Sequence, residues 1–298
     1  MTNKLASGQT VPATARMTTY ESRVLESVVE TWDTRTLVLD LGAEVRYRAG
    51  QYVTIAPQQF IGLQSFVAYL EHAKGRAEAP RAYSMCSAPH ERYLAITIKE
   101  EVYRAGEMKY PPLLSGYLVH QVRPGDRMVV VGCTGAYVLP EDVESRTKHI
   151  LHLCAGSGSV PNFSMLKDSL HRHQHLRHTF VYSNKTWEDV IFRDALGELR
   201  DAHPERLRVV HTLTREKGPL VRTQDVRAGR VEMELLRSIL EREPDTLIYA
   251  CGPAISVWDR RACAAQGTTP TPRFLESMQS HLAALNVPRE RIKVEAFG

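Results

Sequence analysis

Three stretches of the sequence gather side chains capable of chemistry. In the first, RAYSMCSAP from Arg81 to Pro89, a guanidinium (Arg81), a phenol ring (Tyr83) and two hydroxyls (Ser84, Ser87) sit between the apolar runs QYVTIAP and YLAITIKE. Both runs alternate as half-buried strands do, so the segment between them offers a cation, a flat ring and hydroxyls to something bound. The second is CAGSGSVP, Cys154 to Pro161, where Gly156, Ser157 and Gly158 follow an apolar strand and lead into a helix. Backbone N–H groups at such a helix start form an anion site. The glycine spacing is not that of the G-x-G-x-x-G fingerprint, which leaves two readings open, a pyrophosphate turn or a plain tight turn. The third is a set of strand ends: Ser183 and Lys185 in YSNKTWEDVIF, Thr214 and Arg215 in TLTREKGPLVR, and Cys251, Gly252 and Pro253 in YACGP. Paired hydroxyls and cations suit a phosphate monoester, the group that distinguishes NADP from NAD; solvated loop charge is the alternative. Cys251 reads either as a small apolar filler or as a thiol at a ligand crevice.

These residues need two kinds of scaffold. From about Tyr20 to Pro140 short strands (RTLVLDL, QYVTIAP, YLAITIKE, RMVVVG) alternate with turn signals, the pattern of a closed antiparallel barrel or sandwich. One insertion, QQFIGLQSFVAYLEHAKGRAEAP, is too long for a hairpin loop and reads as a helix with a lid-like loop. After EDVESRTKH, strands and helices alternate: HILHLCAG, HTFVYS, LRVVHTLT and DTLIYACG as strands, VPNFSMLKDSLHRH, WEDVIFRDALGELRDA and VEMELLRSILER as helices. That alternation predicts an α/β doubly wound parallel sheet, whose ligands bind beyond the carboxyl ends of its strands. Two helical stretches precede the closing RIKVEAFG; the second is predicted to start with Thr271 as cap and Pro272 at its first position. The expected division is an arm over 1–19, a barrel over 20–144 and the α/β unit over 145–298.

Composition narrows the class. With 43% hydrophobic and 24% charged residues the chain is globular rather than disordered. The start MTNKLASGQTVPATARMTTY lacks an apolar core segment, and so neither a leader nor a membrane association is expected. The five cysteines form no C-x-x-C pair, and their odd number argues against a secreted disulfide framework; a cytoplasmic setting is expected. They also lack the C-x4-C-x2-C run of a plant-type iron-sulfur domain, so any one-electron carrier is expected to be a separate molecule. A net charge of +4 is too small to argue for nucleic acid. His171, His173, His175 and His178 lack a nearby Cys or acidic ligand; they read as a surface helix, and no metal is expected.

Taken in order, these motifs resemble the ferredoxin-NADP reductase family, in which a flavin-binding barrel precedes a pyridine-nucleotide domain. The resemblance rests on R-A-Y-S-x-x-S followed by ITIKE, LLSGYL, PGD and VVVGCTGAYVL, and on AGSGSVP, CGP and the closing VEAFG. It implies FAD and NADPH as cofactors. Arg81 would pair with the flavin pyrophosphate, Tyr83 pack on the isoalloxazine and Ser84 lie near its N5, with Ser87, Ser115 and Lys99 in the same site. Gly156, Ser157 and Gly158 would accept the nucleotide pyrophosphate. Cys251 and Gly252 would border the nicotinamide, with Pro253 in the same cofactor site, and Thr214 and Arg215 match the pair that holds the 2′-phosphate, to which the strand-end reading adds Ser183 and Lys185. The terminal VEAFG is similar to the plant-type Val-Glu-Val-Tyr, which would put Glu295 near the catalytic centre and Phe297 over the flavin face. Ser84, Cys251 and Glu295 are then the expected catalytic residues. The implied function is a flavin-dependent NADPH oxidoreductase passing electrons singly to a ferredoxin, flavodoxin or oxygenase component. The competing readings are a flavin or ferric reductase with a small-molecule acceptor and a non-catalytic nucleotide-sensing subunit. The insertion before Arg81 and the segment DRRACAAQGTTPTPRF depart from the family pattern.

Overall fold

The computed structural model describes residues 18–103, 105, 108–218 and 225–297. The expected N-terminal arm lies, apart from Thr18 and Thr19, outside the described residues. The chain runs β1 (Thr19–Thr31), β2 (Thr34–Asp40), β3 (Tyr52–Ile55), α1 (Gln64–Lys74), β4 (Arg81–Ser84), β5 (Leu94–Lys99), α2 (Ser115–His120) and β6 (Arg127–Thr134). These six strands form one antiparallel sheet in the order β4-β3-β6-β1-β2-β5. Its two edges meet: just past β4, Met85 bridges Ile96 of β5, and the Cys86 N–H donates to the Ala95 carbonyl at 2.8 Å. The sheet is therefore a barrel with few unpaired edge groups. Alternation along the strands sends Val24, Leu37, Leu39, Val53, Ile55, Ile96 and Ile98 inside, all fully buried. Each such side chain contributes about 1.5–3 kcal/mol relative to exposure.

A short α3 (Val143–Arg146) leads into the second half: β7 (His149–Ala155), α4 (Ser159–Arg172), β8 (Arg177–Asn184), α5 (Arg193–Ala202), β9 (Leu207–Leu213), β10 (Asp225–Ala228), α6 (Met233–Arg242), β11 (Leu247–Pro253), α7 (Val257–Ala265), α8 (Phe274–Ala284) and β12 (Ile292–Phe297). All six strands are parallel, in the order β10-β9-β8-β7-β11-β12. From β7 the chain winds outward through β8 and β9 to one side, then returns to place β11 and β12 on the other. The reversal point lies between β7 and β11, which is where an open parallel sheet forms its ligand crevice. No described helix is long and apolar enough to cross a membrane.

Some expectations fail locally. The stretch from Trp187 to Ala202 is not one helix: Trp187–Asp189 is a single 3-10 turn, Phe192 adopts φ +58°, and α5 starts only after it. Tertiary contacts override local propensity here, because the Phe192 ring stacks on Phe163 (4.2 Å between centroids) and its N–H donates to Glu30 of the barrel at 3.1 Å. The last helix begins at Phe274, not after Thr271, since Glu276 accepts from the Arg273 N–H at 3.2 Å. The histidine run does not form one surface helix. α4 ends at Arg172, His178 is buried in β8, and His171 stacks on His90 of the barrel at 4.0 Å.

The two halves are tightly joined. Lys167 of α4 pairs with Glu91 at 2.6 Å, and the Ser164 hydroxyl donates to the Ser87 carbonyl. Cys86 of the barrel packs in one apolar cluster with Cys154, Val160 and Phe163.

Candidate functional site

At the reversal point the turn after β7 passes against the end of β11. A methyl group placed on Gly158 would lie 2.1 Å from the Cys251 carbonyl oxygen and 2.8 Å from the Gly252 Cα. Only glycine permits that approach, and Gly156 adopts φ +53°, a left-handed conformation that other residues strain to reach. The result is a tight turn delivering the chain into α4, with the helix start at the sheet's carboxyl edge.

Beside it opens a cleft of about 1040 Å³, large enough for a dinucleotide-sized ligand. Ala155, Ser183, Thr214, Arg215 and Pro253 line it, so four of the expected nucleotide residues share one cleft. Lys185 is exposed at the end of β8, where its carbonyl accepts from the Arg215 N–H at 2.7 Å, and it is not among the lining residues. Arg230, Asp259, Cys263 and Arg273 also line the cleft, and motif reading missed them. Arg230 was legible in principle, because it sits in the turn ahead of α6, at the ligand edge of the sheet.

Of the barrel residues, Tyr83 is half-buried and Ser84 buried at the end of β4. Burial raises the Tyr83 phenol well above its ordinary range, so it is a neutral flat surface. Arg81 opens the strand and pairs with Glu78 at 2.7 Å; Glu78 also holds Lys74 at 2.5 Å. Burial works against the Glu78 carboxylate, but the two cations outweigh it and hold the group below its usual value. The cations come from α1 and β4, which gives the inserted helix a role in orienting Arg81. Ser87 is occupied within the barrel: its oxygen accepts from the Tyr47 hydroxyl (2.8 Å) and the Ala95 N–H (2.9 Å). Lys99 is held by Asp33 at 2.6 Å, and the Ser115 hydroxyl accepts from the Glu101 N–H at 3.1 Å at the start of α2.

Cys251 and Glu295 are neighbours, being register partners on β11 and β12. The thiol is fully buried and pushed well above its usual range by desolvation, with Glu295 and Cys154 adding to the effect. It is therefore a neutral, space-filling S–H and not a thiolate. Burial also raises the Glu295 carboxyl to about 7, and its Oε2 has no hydrogen-bond partner among the described residues. A desolvated carboxyl with an orphan oxygen is poised to hold a proton near neutrality or to bond a ligand. Phe297 packs, half-buried, against a cluster containing Cys251, Tyr137 and Ala49. Ala49 lies just ahead of Tyr52, the register partner of Ser84. A second path links the same groups: Cys86, two residues after Ser84, shares a cluster with Cys154, which lies in register with Cys251. These clusters form a seam that joins the barrel, just past β4, to the strands carrying the thiol–carboxyl pair.

Beneath the seam runs a polar chain that sequence reading did not find. Tyr137, Asn162, His152, His178 and Ser169 are all buried. Asn162 Nδ2 donates to the Gly158 carbonyl (3.1 Å) and the Tyr137 hydroxyl (3.2 Å). Its Oδ1 accepts from His152 Nδ1 at 2.9 Å, which leaves His152 Nε2 to accept from His178 Nδ1 at 3.2 Å and His178 Nε2 to accept from Ser169 at 3.1 Å. Burial lowers His152 to about 4 and His178 well below its ordinary value, so both rings are neutral. Asn162 ties the glycine turn to Tyr137, in the stretch joining barrel to sheet.

Residues 153–257 match the family model described as an oxidoreductase NAD-binding domain. The chain is 26% identical over 280 residues to the ferredoxin reductase component of 3-ketosteroid-9-alpha-monooxygenase from Mycobacterium tuberculosis, covering 93% of this chain and 65% of that protein. The chain thus spans about two thirds of that relative's length. It is 25% identical over 286 residues to one of the subunits of 1,2-phenylacetyl-CoA epoxidase from Escherichia coli, covering 93% of this chain and 71% of that one. The flavohem-like FAD/NAD binding domain of nitric oxide dioxygenase from Vibrio cholerae superposes with a TM-score of 0.68 at 22% identity, over 94% of this chain and 98% of that domain.

Proposed function

We propose, for a chain that belongs to the ferredoxin-NADP reductase family, that it draws electrons from NADPH and delivers them through FAD, singly, to a separate carrier protein or oxygenase component. The observation that supports this reading is the contact of Gly158 with the end of β11, where Cys251 lies in register with Glu295, beside a cleft lined by Arg215 and Arg230 and joined to the barrel through the cluster of Cys86, Cys154 and Val160. The named relatives are components of a monooxygenase and an epoxidase, which supports an oxygenase partner as the acceptor.

The residues present fit both groups. Arg81 would meet the flavin pyrophosphate and Tyr83 one face of its ring system, with Ser84 and the orphan Glu295 oxygen at the ring's polar edge and Phe297 on the side facing β12. Bound flavin would supply the conversion of the electron pair of one hydride into single electrons. The chain's own contribution is position and electrostatics. Gly158 lets the nucleotide turn reach β11, and the neutral Cys251 thiol and Gly252 shape the floor under a nicotinamide. Arg215 and Arg230, with Ser183 and Thr214, give the adenosine end a cationic wall suited to a 2′-phosphate. Glu295, near 7, is about half protonated at neutral pH, which lessens the negative charge that a full carboxylate would set against an electron-rich ring.

The test is steady-state turnover of FAD-loaded protein with each nucleotide and each acceptor class. NADPH oxidation coupled to a ferredoxin or an oxygenase component, faster than to ferric chelate or free flavin, supports the proposal. Preference for the small acceptors would make the chain a flavin or ferric reductase, and no turnover with any acceptor would leave a nucleotide-sensing role.

A further inference from the structure

The segment between β11 and α8 is built unlike the rest of the parallel-sheet half. α7 contains no buried residue, and Val257 and Trp258 on it are 60% and 74% exposed. α8 by contrast buries Leu275, Met278 and Leu282. A helix without an apolar anchor is held by its polar ties. Ser256 and Asp259 cap one another (3.0 and 3.2 Å), Arg273 pairs with Asp259 at 2.8 Å, and Glu276 accepts from the Ile255 N–H at 2.9 Å. Exposed ion pairs of this kind contribute little to stability, so the segment moves at small cost. Yet Asp259, Cys263 and Arg273 line the same cleft as Arg215 and Arg230.

We propose that residues 256–273 are the outer wall of the nucleotide site and that Arg273 is a phosphate-binding residue of that wall, exchanging Asp259 for a nucleotide phosphate when the cleft fills. The inference rests on the reading of the cleft as the nucleotide site. A phosphate dianion carries more charge than a carboxylate and matches the guanidinium fork equally well, so it outcompetes Asp259 for the same donors. Binding would then draw the segment across the cleft, supplying from the ligand the anchor that α7 lacks.

The test is calorimetric titration of the full-length, FAD-loaded protein with 2′,5′-ADP. Arg273→Ala should weaken binding about tenfold, as expected for loss of a charge-assisted bond, and Arg273→Lys should recover part of it. Asp259→Asn, which frees the guanidinium, should tighten binding about threefold. Hydrogen exchange over 256–273 should slow when 2′,5′-ADP is added to wild type and stay fast in Arg273→Ala. Wild-type affinity in Arg273→Ala, or exchange that ignores the ligand in wild type, overturns the outer wall while leaving the cleft assignment standing. A wild-type protein that does not bind 2′,5′-ADP removes the cleft assignment, and the wall falls with it.

Discussion

Substituting Gly158 by alanine is the sharpest single perturbation of the seam. The added methyl would sit 2.1 Å from the Cys251 oxygen, 2.5 Å from its carbonyl carbon and 2.8 Å from the Gly252 Cα, whereas real side chains do not pack closer than 3.0 Å. Relief requires the turn and β11 to separate by nearly an ångström. Neither can yield cheaply: the Cys251 backbone lies in the sheet with β7 on one side and β12 on the other, and the Gly158 carbonyl is tied by Asn162. Overpacking of this kind costs about 1–3 kcal/mol, and a displacement of about 1 Å at a reacting centre costs about a hundredfold in rate. Gly156→Ala is the control. Its methyl meets nothing within 4 Å, so its cost is confined to about 1–2 kcal/mol from the left-handed backbone. The assay is thermal unfolding together with anaerobic rapid mixing of the FAD-loaded variants with NADPH. Gly158→Ala should lower both stability and flavin reduction, and by far the larger margin in reduction. Reduction at the wild-type rate in Gly158→Ala would refute the claim that this contact sets the nucleotide geometry.

Three other outcomes are expected. Because burial raises Glu295 to about 7 from 4.5, the native state holds a proton that the unfolded chain has released; stability should fall as pH rises from about 4.5 to 7 and level off above, and Glu295→Gln should remove that slope in melts across the range. Asn162→Ala strands the Tyr137 hydroxyl and His152 Nδ1 in the interior, at about 2–4 kcal/mol by denaturant unfolding, and should raise the KM for NADPH more than it lowers kcat. Arg215→Ala should erode the preference for NADPH over NADH in steady-state kinetics by about tenfold.

The parts of this molecule written in local pattern could be read without coordinates. Strand alternation marked β2, β3, β5 and β6 of the barrel, and the βα rhythm gave the parallel sheet and thus the strand ends at which Ser183, Thr214 and Cys251 lie. What escaped depends on partners distant in sequence. His178 reads as one of a polar run, but its burial is decided by β7 on one side of it and Ser169 beneath it. Asn162 and His152 look like unremarkable polar residues until the fold stacks one over the other. Phe192 sits inside a stretch of good helix formers and breaks it because Glu30, far upstream, claims its N–H. The cleft residues after Pro253 were missed for another reason: that segment carries no motif, and only its sharing a cleft with Arg215 gives it meaning.

The central claim is that the barrel's Tyr83–Ser84 strand end and the Cys251–Glu295 pair serve one flavin reached by one nucleotide. Anaerobic titration of the purified, FAD-loaded protein with NADPH, followed by visible absorbance, tests it most directly. The yellow colour should bleach with one equivalent of NADPH, and Glu295→Ala and Cys251→Ala should slow the bleaching while binding the nucleotide nearly as well. A protein that takes up no flavin, or one whose flavin stays oxidised under saturating NADPH, would contradict it.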